Sequence, residues 1–169
     1  MKILSCGAGM QSTALALQSC VNAKSAMLGA PFAFPKVPVY DAIIYCDLGI
    51  ESVWVPEQVK FIEAACKDCG VPFYVLRSNL YQDYMKNFGT SRVSAMPFWT
   101  INEDGKEGCI QRRACTVDYK IIMIQKFVRY QLLGYRPYQH LRPEDVGTHE
   151  LHIGFSKEES QRSFPSRNR

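Results

Sequence analysis

Three short stretches carry backbone and side-chain types that suit a bound anion. The first is Gly7-Ala8-Gly9-Met10-Gln11-Ser12-Thr13, which follows the apolar run Lys2 to Cys6 and opens into a helix-like pattern. Glycines allow tight backbone geometry, the first N–H groups of a helix favour a phosphate, and Ser12 and Thr13 add hydroxyl donors. The stretch is neither G-x-x-x-x-G-K-[ST] nor G-x-G-x-x-G, so it points to neither a kinase-type phosphate loop nor a dinucleotide fingerprint. Its plain alternative is a strand-to-helix turn with no ligand.

The second stretch, "CDLGIE", places Asp47 and Glu51 just after a second apolar run. Carboxylates there suit ribose hydroxyls or a magnesium ion. The alternative is that Asp47 and Gly49 make a turn while Glu51 or Ser52 supports the next helix start. The third, "QRRACTVDYK", sets Arg112, Arg113 and Lys120 around a helix start with Thr116 at its cap, an arrangement suited to a polyphosphate or sulfate. Cys115, beside Arg113 and that helix start, has the setting that lowers a thiol pKa. A surface charge cluster is the competing reading.

The elements that must position these residues follow from apolar periodicity. Lys2 to Cys6 reads as a buried strand, with a helix from about Met10 on which Met10, Ala14, Leu17 and Val21 share a face. "GAPFAFPKVP" (29–38) reads as a loop, "DAIIYCD" (41–47) as a strand, 53–69 as a helix with Pro56 in its first turn, and "PFYVLR" (72–77) as a third strand. On the second helix Val55, Val59, Ile62, Cys66 and Cys69 fall on one face, which makes the C-x-x-C a pair of buried thiols rather than a zinc site. Residues 78–108 hold one short helix, Leu80 to Asn87, and read as a lid or partner surface outside the main sheet, with Met96, Phe98 and Trp99 in it. "TVDYKIIMIQKFVRYQLLG" predicts a helix capped by Thr116, with Asp118 in its first turn, Val117, Ile121, Ile124 and Val128 inward, and Gly134 at its end. "ELHIGF" (150–155) is the last strand. Alternating strands and helices predict an α/β fold, a doubly wound and mostly parallel sheet flanked by helices, in a single domain covering 1–169.

Composition agrees with an ordinary globular chain: 169 residues, 47% hydrophobic, 21% charged, net charge +4. No apolar run reaches the ~20 residues of a membrane span. The start "MKILS" lacks a signal-peptide pattern, and the seven cysteines are an odd number, so a cytoplasmic chain with reduced thiols is expected. The basic surplus gathers at the tail (Lys157, Arg162, Arg167, Arg169), which could touch nucleic acid but lacks an accompanying aromatic-interleaved basic stripe.

Taken in order, these stretches resemble the phosphoadenosine-phosphosulfate-reductase-like branch of the PP-loop ATP pyrophosphatases, also called adenine nucleotide α-hydrolases, over nearly the whole chain. Gly7 to Ser12 is similar to that family's S-G-G-x-D-S turn; Gly7 stands in place of the first serine and Gln11 in place of the aspartate. Asp47, Gly49 and Glu51 look like its D-T-G-x-E segment. Arg113, Cys115, Thr116 and Lys120 look like its R-x-C-T-x-x-x-K-I element, and Gly154, Glu158 and Arg162 in "GFSKEESQR" resemble its later glycine-to-arginine segment. The resemblance implies a Rossmann-like three-layer fold and an enzyme that binds ATP, with magnesium as a possible companion, and cleaves it between the α- and β-phosphates to adenylate an acceptor substrate. Arg113 and Lys120 would offset charge on the departing pyrophosphate. A sulfonucleotide reductase using Cys115 or Cys109 is an alternative, although the family's C-terminal E-C-G-x-H cysteine has no counterpart and no residue after Cys115 is a cysteine. A non-catalytic nucleotide- or partner-binding subunit is another, and a homo-oligomer is compatible with each. Ending at "SFPSRNR", the chain reads as either naturally short or truncated relative to that family.

Overall fold

The computed structural model describes residues 1–87, 99–101, 104–105, 107–110 and 116–158. Its main sheet has four parallel strands in the order β3-β2-β1-β6, from β1 (Lys2–Cys6), β2 (Ala42–Asp47), β3 (Phe73–Arg77) and β6 (Glu150–Ile153). β1 runs in register with β2 from Ile3↔Ala42 to Cys6↔Tyr45, and with β6 from Lys2↔Glu150 to Ser5↔Ile153. The chain therefore winds outward through β2 and β3, then returns to the opposite flank of β1. That reversal puts the topological switch point between β1 and β6, where open α/β sheets place their ligands. The Cα framework divides into two compact units, 1–45 with 52–75 and 140–169, and 46–51 with 76–139.

In the first unit, α1 (Met10–Met27) and α2 (Val55–Cys69) cover β1 and β2 around Leu4, Cys6, Ile43, Ile62 and Cys66. All five α2 residues expected inward are buried, the C-x-x-C pair among them. Pro56 lies in the first turn, where a missing N–H costs nothing. Gly70 ends the helix in the left-handed conformation (φ 70°), and Val71 N–H closes onto Cys66 O at 3.0 Å.

On α1 the expected face is wrong. Met10 (83% exposed), Ala14 and Val21 look outward, and Leu17 is half-buried. The buried face is Ser12, Thr13, Ala16, Ser19, Cys20, Asn22 and Ala23. Small residues let the helix lie close to the sheet, and two polar ones tie down the chain between it and β2, Asn22 at the 29–38 loop and Ser19 at Tyr40. Ser19 Oγ accepts from Tyr40 N–H at 2.9 Å. The wholly buried Asn22 donates to Phe34 O (2.8 Å) and Val37 O (2.7 Å) and accepts from Phe34 N–H (3.0 Å).

In the second unit, α3 (Leu80–Asn87) has the bounds expected, and Leu80 packs with Leu48 and Tyr119. β4 (Trp99–Ile101) and β5 (Glu107–Ile110) pair antiparallel in a sheet of their own, so this part of 78–108 does lie outside the main sheet. Met96 and Phe98 fall outside the described residues. The later helix runs through a π-helical turn (Val117–Ile121), α4 (Ile122–Phe127) and a second π-helical turn (Val128–Leu132), and Gly134 ends it at φ 69°. Of its expected inward stripe, Ile124 is buried and Val128 half-buried, whereas Val117 and Ile121 are exposed. Bonds from i to i+5 widen each π turn, so a stripe counted at 3.6 residues falls out of step. Thr116 is not a cap either: its backbone is already helical (φ −64°, ψ −40°) and its side chain makes no capping bond.

Among the described residues no helix is long and apolar enough to cross a membrane.

Candidate functional site

The switch point in the first unit is built from the end of β1, the turn into α1 and the end of β6. The left-handed residue of that turn is Ala8 (φ 53°), rather than either glycine. Its methyl group is buried with Tyr45, Val55, Val59 and Phe73, and this packing holds the unusual backbone in place. Gly7 and Gly9 have ordinary φ values, and a Cβ on either would meet nothing within 4 Å. Internal sterics therefore do not require glycine at 7 or 9.

Gly9 is the N-cap of α1, in extended geometry (φ −81°, ψ 169°), with no side-chain cap and no acidic residue in the first turn. The first intrahelical bond is Thr13 N–H to Gly9 O at 2.9 Å. The N–H groups before it have no carbonyl within the helix to bond, and the positive end of the helix dipole lies there. Ser12 shapes the turn: its Oγ accepts from Gly7 N–H (3.2 Å) and donates to Gly9 O (3.1 Å). Thr13 Oγ1 accepts from Gln58 Nε2 at 3.2 Å. Both hydroxyls are thus engaged inside the unit, while Gln11 is half-buried.

Gly154, just beyond β6, stands against this turn. A Cβ there would lie 2.6 Å from Ser12 N, 2.8 Å from Gln11 C and 2.9 Å from Ser12 Cα. Only a residue without a side chain lets β6 end this close to the first turn of α1. Gly7, Ala8, Gly9, Gln11, Ser12, Thr13 and Gly154 are thereby gathered at one place in one unit.

In the second unit, Asp47 Oδ1 accepts from Gly49 N–H at 2.8 Å, and Gly49 takes φ 76°. This is a side-chain-closed turn of the kind aspartate and glycine favour. Glu51 pairs with Lys120 at 3.3 Å, both largely shielded from solvent. An anion approaching Lys120 meets a cation already partnered by a carboxylate. Tyr119 Oη donates to Asp83 Oδ2 at 2.9 Å; burial first, then this bond, raises the Tyr119 pKa. Thr116 is exposed at the start of its helix. Arg112, Arg113, Cys115 and Arg162 lie outside the described residues.

Five cysteine side chains are described, and all are buried. Burial pushes the Cys6, Cys46 and Cys69 thiols up, Cys46 to about 11 against a smaller opposing pull from Lys120. Cys20 is raised chiefly by its hydrogen bond to Cys66, 3.7 Å away, and then by burial. Such thiols are poor nucleophiles and core-filling groups. A thiol held neutral in the folded chain ionises more readily once unfolded. The stability that the buried Cys46 thiol contributes is therefore fully present below pH 9.0 and is lost as pH climbs through about 11. Urea unfolding in reducing buffer should show a plateau to about pH 9 and then a fall, of which Cys46 alone contributes about 2–3 kcal/mol. Cys46→Ala should flatten that fall, and a pH profile unchanged by it would contradict the assignment.

No group of three or more metal-capable side chains occurs among the described residues. Compared with known proteins, the chain matches no family model, no curated protein and no solved structure.

Proposed function

We propose that the chain is an adenine-nucleotide-binding α/β protein whose Gly7–Thr13 turn receives the phosphates of ATP, and that it cleaves ATP between the α- and β-phosphates to adenylate an acceptor. The observation that carries the reading is the bare N-cap of α1. Ser, Thr, Asp and Asn lead at N-caps because their side chains satisfy an orphan N–H; glycine is also common there but leaves that N–H open to another partner. Here the position is Gly9, its Cβ direction opens on empty space, and it stands at the sheet's switch point. A phosphate in that space would take the place of the missing cap.

The strand order supports the finer fold assignment, the adenine nucleotide α-hydrolase type of doubly wound sheet, by analogy with other sheets that reverse beside their first strand. Ser12 would act by holding the turn open rather than by touching the ligand. The resemblance adds Arg113 and Lys120 as charge-offsetting groups, Cys115 and Thr116 beside them, Asp47, Gly49 and Glu51 toward ribose or magnesium, and Arg162 with Gly154 in nucleotide binding.

Pyrophosphate release from ATP and magnesium, assayed with candidate acceptors, tests the catalytic part. Turnover lost in Arg113→Ala and Lys120→Ala at unchanged melting supports it. ATP binding with no pyrophosphate release under any acceptor would leave a binding subunit instead. Gly9→Ser tests the binding part: serine is a better cap, so melting should hold or rise, while ATP affinity should fall about tenfold or more as the hydroxyl occupies the anion's place. Affinity within a factor of two of the parent would sink the turn as a phosphate site.

A further inference from the structure

We propose that the turn Arg136-Pro137-Tyr138-Gln139 is a stacking platform for single-stranded nucleic acid. Gln139 N–H donates to Arg136 O at 3.2 Å, closing a four-residue turn with Pro137 second and Tyr138 third. Tyr138 has φ 63°, the conformation that the third position of a type II turn demands and that glycine or asparagine normally supplies. A tyrosine held there is strained, and at 98% exposure its ring contributes no burial in return. The fold gains nothing from this ring.

The turn is nevertheless braced. Arg136 N–H donates to Gln139 Oε1 at 3.0 Å, and the Arg129 guanidinium donates to Gln139 O from behind. That guanidinium lies 5.9 Å from the Tyr130 ring centre and 5.7 Å from that of Tyr135, and its buried Nε has no hydrogen-bond partner. An open concavity of about 580 Å³ is lined by the four turn residues. From Val128 to Gln139 the chain carries Arg129 and Arg136 and no acidic residue.

An aromatic face thrust into solvent beside an exposed arginine is the pairing that binds unstacked bases and the phosphates between them. Bases within a duplex are already stacked on their neighbours, so the preference is for single strands. The inference does not rest on the ATP reading, whose central Gly7–Thr13 turn belongs to the other unit.

The probe is a fluorescent decathymidylate followed by anisotropy at about 50 mM salt, where phosphate contacts are strong. Parent protein should bind it, and an unlabelled duplex of equal length should compete poorly. Tyr138→Gly relieves the positive φ, so melting should hold or rise while affinity falls about ten- to a hundredfold. Tyr138→Phe should bind like the parent. Arg136→Gln should weaken binding and reduce the salt slope by about 0.7. No binding by the parent at about 100 μM, Tyr138→Gly within twofold, loss of binding in Tyr138→Phe, or equal competition by duplex would each overturn the proposal. ATP binding should be untouched in Tyr138→Gly, which separates this result from any failure of the nucleotide reading.

Discussion

Gly154→Ala should lower the melting temperature by roughly 2–12 °C and weaken ATP binding, although it adds only one methyl group. That methyl would sit 2.6–2.9 Å from backbone atoms of Gln11 and Ser12, which cannot swing aside as a side-chain end can. Overpacking of this kind costs about 1–3 kcal/mol, and each kcal/mol moves the melting point of a chain this size by roughly 2–4 °C. Relief comes only by pushing the first turn of α1 away from the end of β6, which moves the N–H groups proposed to hold phosphate. Gly7→Ala is the matched control, since its methyl enters open space and should leave melting nearly unchanged. Thermal unfolding of the two variants side by side decides the matter. Equal melting points would mean that β6 does not press on the turn.

Asn22→Ala should destabilise the chain by about 3 kcal/mol, or roughly 6–12 °C in melting temperature. The side chain makes three hydrogen bonds to the loop at Phe34 and Val37 from a fully buried position. Each such bond contributes about 1 kcal/mol net, and its removal strands partly buried backbone groups as well. Lys24→Ala, on the exposed side of the same helix, should change stability by about 0.5 kcal/mol or less. Chemical denaturation of both variants would show the contrast; a shift below about 1 kcal/mol for Asn22→Ala would mean the loop is held by other contacts.

These two residues also mark where sequence patterns inform and where they mislead. β1, β2 and α2 were legible because large apolar side chains carry their burial, in continuous runs on the strands and at helical period from Val55 to Cys69. β3 and β6 showed as short apolar runs although their side chains are mostly half-buried or exposed, and the β4–β5 pair was not legible in the sequence. On α1 the same rule chose the solvent face, because its inner face works through small residues, Ser19 and Asn22 instead of bulk. In the helix from Val117 to Leu132 the rule failed for a different reason: two π turns change the period that it counts. At the candidate site the glycine turn could be seen in the sequence, but its mechanics could not. Nothing in the letters says that Ala8 rather than a glycine takes the left-handed backbone, or that Ser12 and Thr13 spend their hydroxyls inside the fold. Gly154 entered through resemblance to a family segment, and its steric need is visible only once β6 lies beside β1. Tyr138 gave no signal, since a tyrosine after Pro137 looks like any polar turn until its backbone is seen.

The central claim is that the Gly7–Thr13 turn is a phosphate site for an adenine nucleotide. It is tested most directly by titrating ATP with magnesium into isotopically labelled protein and following backbone amide resonances. The account predicts saturable shifts concentrated at Gly7, Ala8, Gly9, Gln11, Ser12 and Thr13, with Gly154 following, and their loss in Gly9→Ser. Saturating ATP that leaves these amides unmoved, or moves only amides elsewhere in the chain, would contradict it.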